Sequence, residues 1–175
     1  VTRNAYRLPV TRYWLRVTNN SMARERRANS TEEEKEFEQR VVDLRRVTRV
    51  TKGGKQLRFR ATVLLGDHKG RIGFALGKGA DVALSTQKAF RRARKQLLHI
   101  PMKDETIPHM VRANFGAALV LIKPDPKGTG IKAGGPMRII FELAGVPNVV
   151  GKILGTTKNK VNIIKATLKA IEQLR

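Results

Sequence analysis

Residues 45–65 read RRVTRVTKGGKQLRFRATVLL, and the fold turns on their alternation. Leu57, Phe59, Ala61, Val63 and Leu65 alternate with Gln56, Arg58, Arg60 and Thr62, the period of two that belongs to a half-buried strand with a basic outer face. Upstream, Arg45 to Thr51 is rich in Val and Thr, and Lys52-Gly53-Gly54-Lys55 between the two runs supplies the glycines of a tight reversal. Downstream, Gly66-Asp67-His68-Lys69-Gly70 is turn chemistry, and Ile72, Phe74 and Leu76 give a third alternating run. Three antiparallel strands are the simplest account.

Beyond the strands, Gly77-Lys78-Gly79 leads into a helix expected to begin near Asp81. Val82, Thr86, Ala89, Phe90, Ala93 and Leu97 fall on one face, and Lys88, Arg91, Arg92 and Lys95 recur at i, i+3, i+4 and i+7 on another. Pro101 and Lys103-Asp104-Glu105 mark the end of a first domain, predicted to span residues 32–100. On its N-terminal side, Ser30 or Thr31 followed by Glu32-Glu33-Glu34 suits a helix start, where acids complement the macrodipole. Residues 1–31 read as a basic extension, either an arm ordered by RNA, an Arg-rich transit peptide or a disordered tail, with the tail preferred. Met22 opens a stretch that looks like a natural protein start, so residues 1–21 are expected to be dispensable.

The remainder, residues 101–175, reads as a second domain. Thr106 to Arg112 and Ala117 to Lys123 are expected strands joined across residues 113–116, and Leu119-Val120-Leu121-Ile122, apolar on both faces, is placed at the centre of a sheet. A loop follows over residues 124–130. Pro136 then suits the first position of a short helix through Ala144, which Gly145 ends. A strand is expected within residues 146–154, and Asn159 or Asn162 caps a final helix with Ile164, Leu168 and Ile171 inward and Lys165 and Lys169 outward. The fold class is α+β with two small domains.

Charge points to the partner. The 175 residues hold 36 Lys+Arg against 14 Asp+Glu, a net of +22, and residues 1–43 account for only +2 of it. A folded body carrying +20 needs a polyanion, and nucleic acid is the usual one. A membrane surface fits less well, because its binders concentrate charge on one helix or tail, whereas here it recurs in every segment. The absence of Cys excludes disulfides, thiolate metal sites and cysteine nucleophiles.

Catalytic material is thin. His68, His99 and His109 stand at turns or element ends without metal-ligand spacing, and the seven acids after residue 43 are scattered. Gly145 to Lys152 has one residue too many for a phosphate loop and Ile153 where Ser or Thr must hold magnesium. Gly70-Arg71-Ile72-Gly73 matches a GXXG pattern, but in a strand turn rather than between helices. No enzyme activity and no cofactor are expected. Single-strand binders stack bases on open aromatic faces, whereas Phe59, Phe74 and Phe90 fall on the apolar sides of their elements and are assigned to the core. What remains is cations on rigid elements and Gly-bearing loops whose N–H groups can approach phosphates. The candidate RNA-binding residues are Arg45, Arg46, Arg49, Lys52, Gly53, Gly54, Lys55, Arg58, Arg60, Lys69, Arg71, Lys78, Lys88, Arg91, Arg92, Lys95, Lys127, Gly128, Thr129, Gly130, Lys132, Arg138, Lys158, Lys165 and Lys169.

Arg45 to Lys55, Gly66 to Gly79, and above all residues 128–138 (GTGIKAGGPMR) followed by Glu142-Leu143-Ala144-Gly145-Val146, with Ala166-Thr167 in the last helix, carry a family resemblance. The sequence from about residue 36 to residue 174 resembles bacterial-type small-subunit ribosomal protein number five. The resemblance implies a first domain like the double-stranded-RNA-binding fold (α-β-β-β-α) and a second β-α domain with a left-handed crossover. It implies a structural constituent of the small ribosomal subunit, with residues 52–55 reaching ribosomal RNA at the head–body junction. Residues 128–138 would touch body RNA and protein number four, a contact tied to decoding accuracy. Neighbours would include proteins three and eight, and messenger RNA in the channel through which it enters. Location would be the cytoplasm or an organelle, in the small subunit. Lys127, Lys132 and Pro136 depart from the family's common residues. A free-standing double-stranded-RNA-binding regulator is the alternative function.

Overall fold

The computed structural model describes residues 36–174. The expected helix start at Ser30 or Thr31 and the whole basic extension lie outside them. Strands β1 (Glu38–Thr51), β2 (Gly54–Gly66) and β3 (Arg71–Gly79) lead to helix α1 (Val82–Ala93) and strand β4 (Leu97–His99). Strands β5 (Val111–Phe115), β6 (Ala118–Pro124) and β7 (Ile131–Ala133), helix α2 (Gly135–Ala144), strand β8 (Val149–Ile153) and helix α3 (Lys160–Glu172) follow. The first sheet is antiparallel with order β1-β2-β3-β4; the second has order β5-β6-β8-β7 and is mixed, since β7 runs parallel to β8 through the α2 crossover. The architecture is α+β in two domains, and β6 is internal, as its two apolar faces require.

The hairpin closes where its glycines stand. Thr51 pairs with Gly54, the Thr51 hydroxyl donates to the Gly54 carbonyl at 3.0 Å, and Lys52-Gly53 form the two-residue turn. Several elements depart from the sequence reading. β1 begins at Glu38 rather than near Arg45, because polar Glu38, Gln39 and Arg40 conceal a strand that pairing with Gly66, Leu65 and Leu64 imposes, and a register shift between Val41 and Asp43 breaks the alternation. α1 stops at Ala93, leaving Lys95 in a turn, and Leu97 belongs to a fourth strand that satisfies the free edge of β3. Val82 is exposed and Ser85 takes its buried place, donating its hydroxyl to the Val82 carbonyl at 2.7 Å. The fifth strand runs over residues 111–115 instead of 106–112, with the turn at Gly116-Ala117. Asn159 is the cap of α3, its side chain accepting from the Val161 N–H at 3.2 Å.

β2 is not the half-buried strand its alternation suggests. From Ala61 to Gly66 every residue is buried, while Gly54 to Arg58 are all exposed. α1 covers one face, packing Ala89, Phe90 and Ala93 against Ala61, Val63, Leu65 and Ala75. The second domain covers the other: Leu64 and Ile72 belong to one continuous core with Ile100, Ile122, Met137, Ile140, Phe141, Leu143 and Ile164. Leu64 and Ile72 are fully buried, each contributing about 1.5–3 kcal/mol, and only because the second domain is present. Phe90 is core as expected; Phe59 and Phe74 are half-buried, since Phe59 lies where the layers end.

The joint between the domains is made by backbone. The N–H groups of His68 and Gly70 donate to the carbonyls of Leu143 and Ala144, at 3.0 and 2.8 Å, so the β2–β3 turn satisfies carbonyls that α2 leaves unpaired at its C-terminus. A Cβ on Gly66 would lie 2.2 Å from the Leu143 oxygen, and one on Gly145, at φ 76°, 2.3 Å from the His68 oxygen. The side chain of Asp67, 1% exposed, shapes the turn: Oδ1 accepts from the N–H groups of Lys69 and Arg71 at 2.9 and 3.0 Å, and Oδ2 takes the Arg71 guanidinium. Burial pushes this carboxyl up, but the Lys69 N–H, then the side chain and N–H of Arg71, outweigh it and hold it below its ordinary value. Around the rim, Glu142 receives Arg40 at 2.9 Å and Arg138 at 3.0 Å, and His68 meets Glu38 at 2.7 Å. The His68 contact, against slight desolvation and aided by Arg40, holds Glu38 below its usual range. These exposed pairs are worth at most about 1 kcal/mol each.

Two outcomes follow from the joint. Gly66→Ala should lower stability by about 1–3 kcal/mol in urea unfolding, because the clashing atom is backbone and cannot move without breaking the His68–Leu143 bond. Asp67 has a depressed carboxyl in the folded state, so its contribution is present above the unfolded value near 4 and fades as pH falls below it. Asp67→Asn should therefore lower stability at neutral pH and flatten the decline below about pH 4 in acid titrations followed by circular dichroism.

Candidate nucleic-acid interface

Between residues 44 and 66 the chain carries seven cations and no acid. β3 ends at Gly79 opposite Phe59, so the β1–β2 pairing continues beyond it as a two-stranded ribbon ending in Lys52-Gly53. Arg46, Arg49, Lys52, Lys55 and Arg58 are exposed along this ribbon, as are Val50 and Leu57. Among the described residues nothing lies within 4 Å of the place a Cβ would occupy on Gly53 or Gly54 at its tip. At the base of the ribbon Arg45, Arg60 and Lys78 stand in one cross-strand row.

On α1, Lys88, Arg91 and Arg92 are exposed and Lys95 follows in the turn; with Leu84 and Gln87 they line a shallow groove. An Arg92 guanidinium nitrogen donates to the Leu76 carbonyl at 3.2 Å, tying that side chain to the sheet. This stripe lies on the outward face of α1, opposite its apolar contacts with β2 and β3. Arg71 is engaged by Asp67 and lies 5.3 Å over the Phe37 ring, and neighbouring Lys69 sits in the same turn against α2, at the end of β2 away from the ribbon tip.

The Gly-rich loop of the second domain has a different character from the one its sequence suggests. Asn148, 4% exposed, accepts the N–H groups of Gly128 and Gly130 on Oδ1, both at 3.1 Å. Its Nδ2 donates to the Glu105 carbonyl at 3.4 Å, and its own carbonyl accepts the Thr106 hydroxyl at 2.7 Å. The Thr129 N–H goes to the Pro126 carbonyl at 3.3 Å. The three amides that were candidates for phosphate are thus bonded within the protein, and the loop presents side chains instead. Lys127 and Lys132 are exposed, Lys127 within 3.9 Å of Glu105, and Arg138 on α2 pairs with Glu142. Lys158 is exposed before α3. Lys165 lies 4.9 Å over the Phe115 ring and Lys169 donates to the Asn114 carbonyl at 3.4 Å, so both brace α3 against β5 as well as facing outward.

Asn148 was not legible as an organiser, since a single Asn in a loop has no periodic signal. Nor were Arg112, Lys123 and Lys152, which register pairing places with Lys132 on the outer face of the second sheet, around half-buried Leu121 and Val150. The alternation of β5 was a signal for Arg112, whereas β6 and β8 alternate too little to reveal Lys123 and Lys152. Among the described residues no group of three or more His, Asp or Glu could hold a metal ion, and no helix is long and apolar enough to cross a membrane.

Residues 37–101 match the family model for ribosomal protein S5, N-terminal domain, and residues 113–175 the one for ribosomal protein S5, C-terminal domain. The chain belongs to the ribosomal protein S5 family. An S5-family chain is a structural constituent of the ribosome, a ribonucleoprotein component of the small subunit that binds ribosomal RNA in translation. The two matched segments coincide with the two sheets and meet across the α2 joint. In this S5-family chain Asn148→Ala should unpair the Gly128 and Gly130 amides and cost about 1–3 kcal/mol. Faster hydrogen exchange at those two amides, with β1 to β3 unchanged, is the expected observation.

Proposed function

We propose that this chain binds small-subunit ribosomal RNA through shape and phosphate contacts, using the β1–β2 ribbon, the α1 stripe and the side chains of residues 127–138. It would thereby support assembly, decoding accuracy and the channel through which messenger RNA enters. The acid-free ribbon carries the reading: of the seven cations between residues 44 and 66 only Arg45 has an ion pair among the described residues, and the strand pair bearing the others reaches beyond the end of β3. We further propose that residues 32–100 and 101–175 act as its two domains. The ribbon tip reaches RNA near the junction of head and body, and the 128–138 segment adjoins body RNA and protein number four, with proteins three and eight as neighbours.

The experiment has two arms. Tagged protein in a lysate should sediment almost wholly with small subunits, whereas a free regulator would remain at the top of the gradient. In RNA binding, replacing Lys88, Arg91 and Arg92 by Ala should flatten the dependence of log affinity on log salt by about 0.7–0.9 for each phosphate that the variant no longer neutralises. Gly53→Ala removes no charge and meets no atom of the described residues, so it should leave stability and the salt slope unchanged while weakening binding by preventing close approach at the tip. An unchanged slope for the α1 variant would show that this helix faces protein or solvent.

A further inference from the structure

Arg45 of β1 pairs in register with Arg60 of β2, and Arg60 with Lys78 of β3, so three cations stand side by side on one face of the sheet. Like charges directly opposite each other across strands are destabilising. Sequences that need only a stable sheet avoid them. The next row on the same face holds Asp43 and Thr62, and there the sheet passes under the start of α3, whose Lys160 ammonium is 3.6 Å from Asp43. Asp43 is already taken by Arg45, at 2.8 Å. Among the described residues Arg60 and Lys78 have no anionic partner. Two donors here are also orphaned: Arg60 Nε and the hydroxyl of fully buried Thr62 have no hydrogen-bond partner among the described residues. Arg45 has Asp43, but two adjacent cations without a counter-ion and an Arg60 N–H without an acceptor among the described residues suit this row to an anionic ligand, with buried Thr62 beneath it.

We propose that Arg45, Arg60 and Lys78 form a ladder that takes successive phosphodiesters of one RNA strand running across the first sheet, at the seam beside the start of α3. This rests on the RNA-binding reading above and adds a site and a direction to it. Strands lie about 4.8 Å apart, so the row spans about 10 Å. That is longer than a single free anion can bridge, and it suits a chain of phosphates. Guanidinium forks match phosphate oxygens in pairs, and Arg46, Arg49 and Arg58 continue the positive field outward along the ribbon. A polymer of anions is favoured over isolated carboxylates of a protein neighbour for the same reason.

The test exploits a conflict between stability and binding. Lys78→Gln, Arg60→Gln and the pair are compared with the unaltered chain and with Lys123→Gln, on the outer face of the second sheet, as control. With a small-subunit RNA fragment as probe, each ladder substitution should weaken affinity several-fold and flatten the salt slope by about 0.7–0.9 per phosphate. Without RNA, Lys78→Gln should raise the melting temperature by about 1–4 °C at low salt, since it removes repulsion, and the gain should vanish near 1 M salt. Lys78→Gln guards against Arg60→Gln failing because its shortened stem packs poorly. Unchanged slopes in both variants, or a lowered melting temperature for Lys78→Gln with normal RNA binding, would overturn the ladder. Normal RNA binding with loss of uptake into the partly assembled particle would overturn it in favour of an acidic protein neighbour. Absence of RNA binding by the unaltered chain would remove the underlying reading as well, which separates the two failures.

Discussion

Helix α2 ends in carbonyls that its own residues cannot satisfy, and the N–H groups of His68 and Gly70 close that deficit from the other domain. The rest of the architecture depends on this contact. It demands glycine at 66 and 145, because two backbones approach too closely for a Cβ. It demands the Asp67 turn that points both amides the same way. With the turn seated, β2 and β3 lie across the second domain's core, and Leu64 and Ile72 become interior residues of a cluster most of whose members belong to that domain. Side-chain ion pairs along the rim add little by comparison, being half-exposed.

That joint also explains what could be read in advance and what could not. The hairpin, α2 with Pro136 and Gly145, the internal strand β6 and the capped α3 rest on local chemistry, and each stands within a residue of where its sequence placed it, α2 starting at Gly135 with Pro136 second and β6 at Ala118. The start of β1, strand β4 and the position of β5 are set by partners distant in sequence, and their own residues are too polar or too few to announce them. The alternation in β2 misled for a related reason: a period of two says that the two faces differ, not that one of them is wet. Thr62 looks like a solvent-facing residue and is fully buried.

For the interface, the cations were legible as residue types and their grouping was not. Lys88, Arg91 and Arg92 gather on one helix face, as the spacing implied. Arg71, Lys165 and Lys169 carry structural contacts that no count of charges could reveal. The loop at residues 128–130 shows the converse, since its glycine amides are consumed by Asn148, a residue from the far side of α2. Cross-strand register sorts basic residues into rows, and the spacing of cations within one strand says nothing of its register with the next.

One strand is held at one end and free at the other. β2 is gripped between α1 and α2 from Ala61 to Gly66, stays flanked by β3 as far as Phe59, and projects with β1 alone from Arg58 back to Gly54. Five residues at about 3.4 Å each make an overhang of roughly 17 Å. Mechanically this is a cantilever. A sideways load on the tip is delivered as a torque at the clamp, and the clamp is the place where both domains meet. Whatever grips the ribbon therefore turns the two domains together, and the bending stiffness of a two-stranded ladder sets how much of that displacement survives the journey.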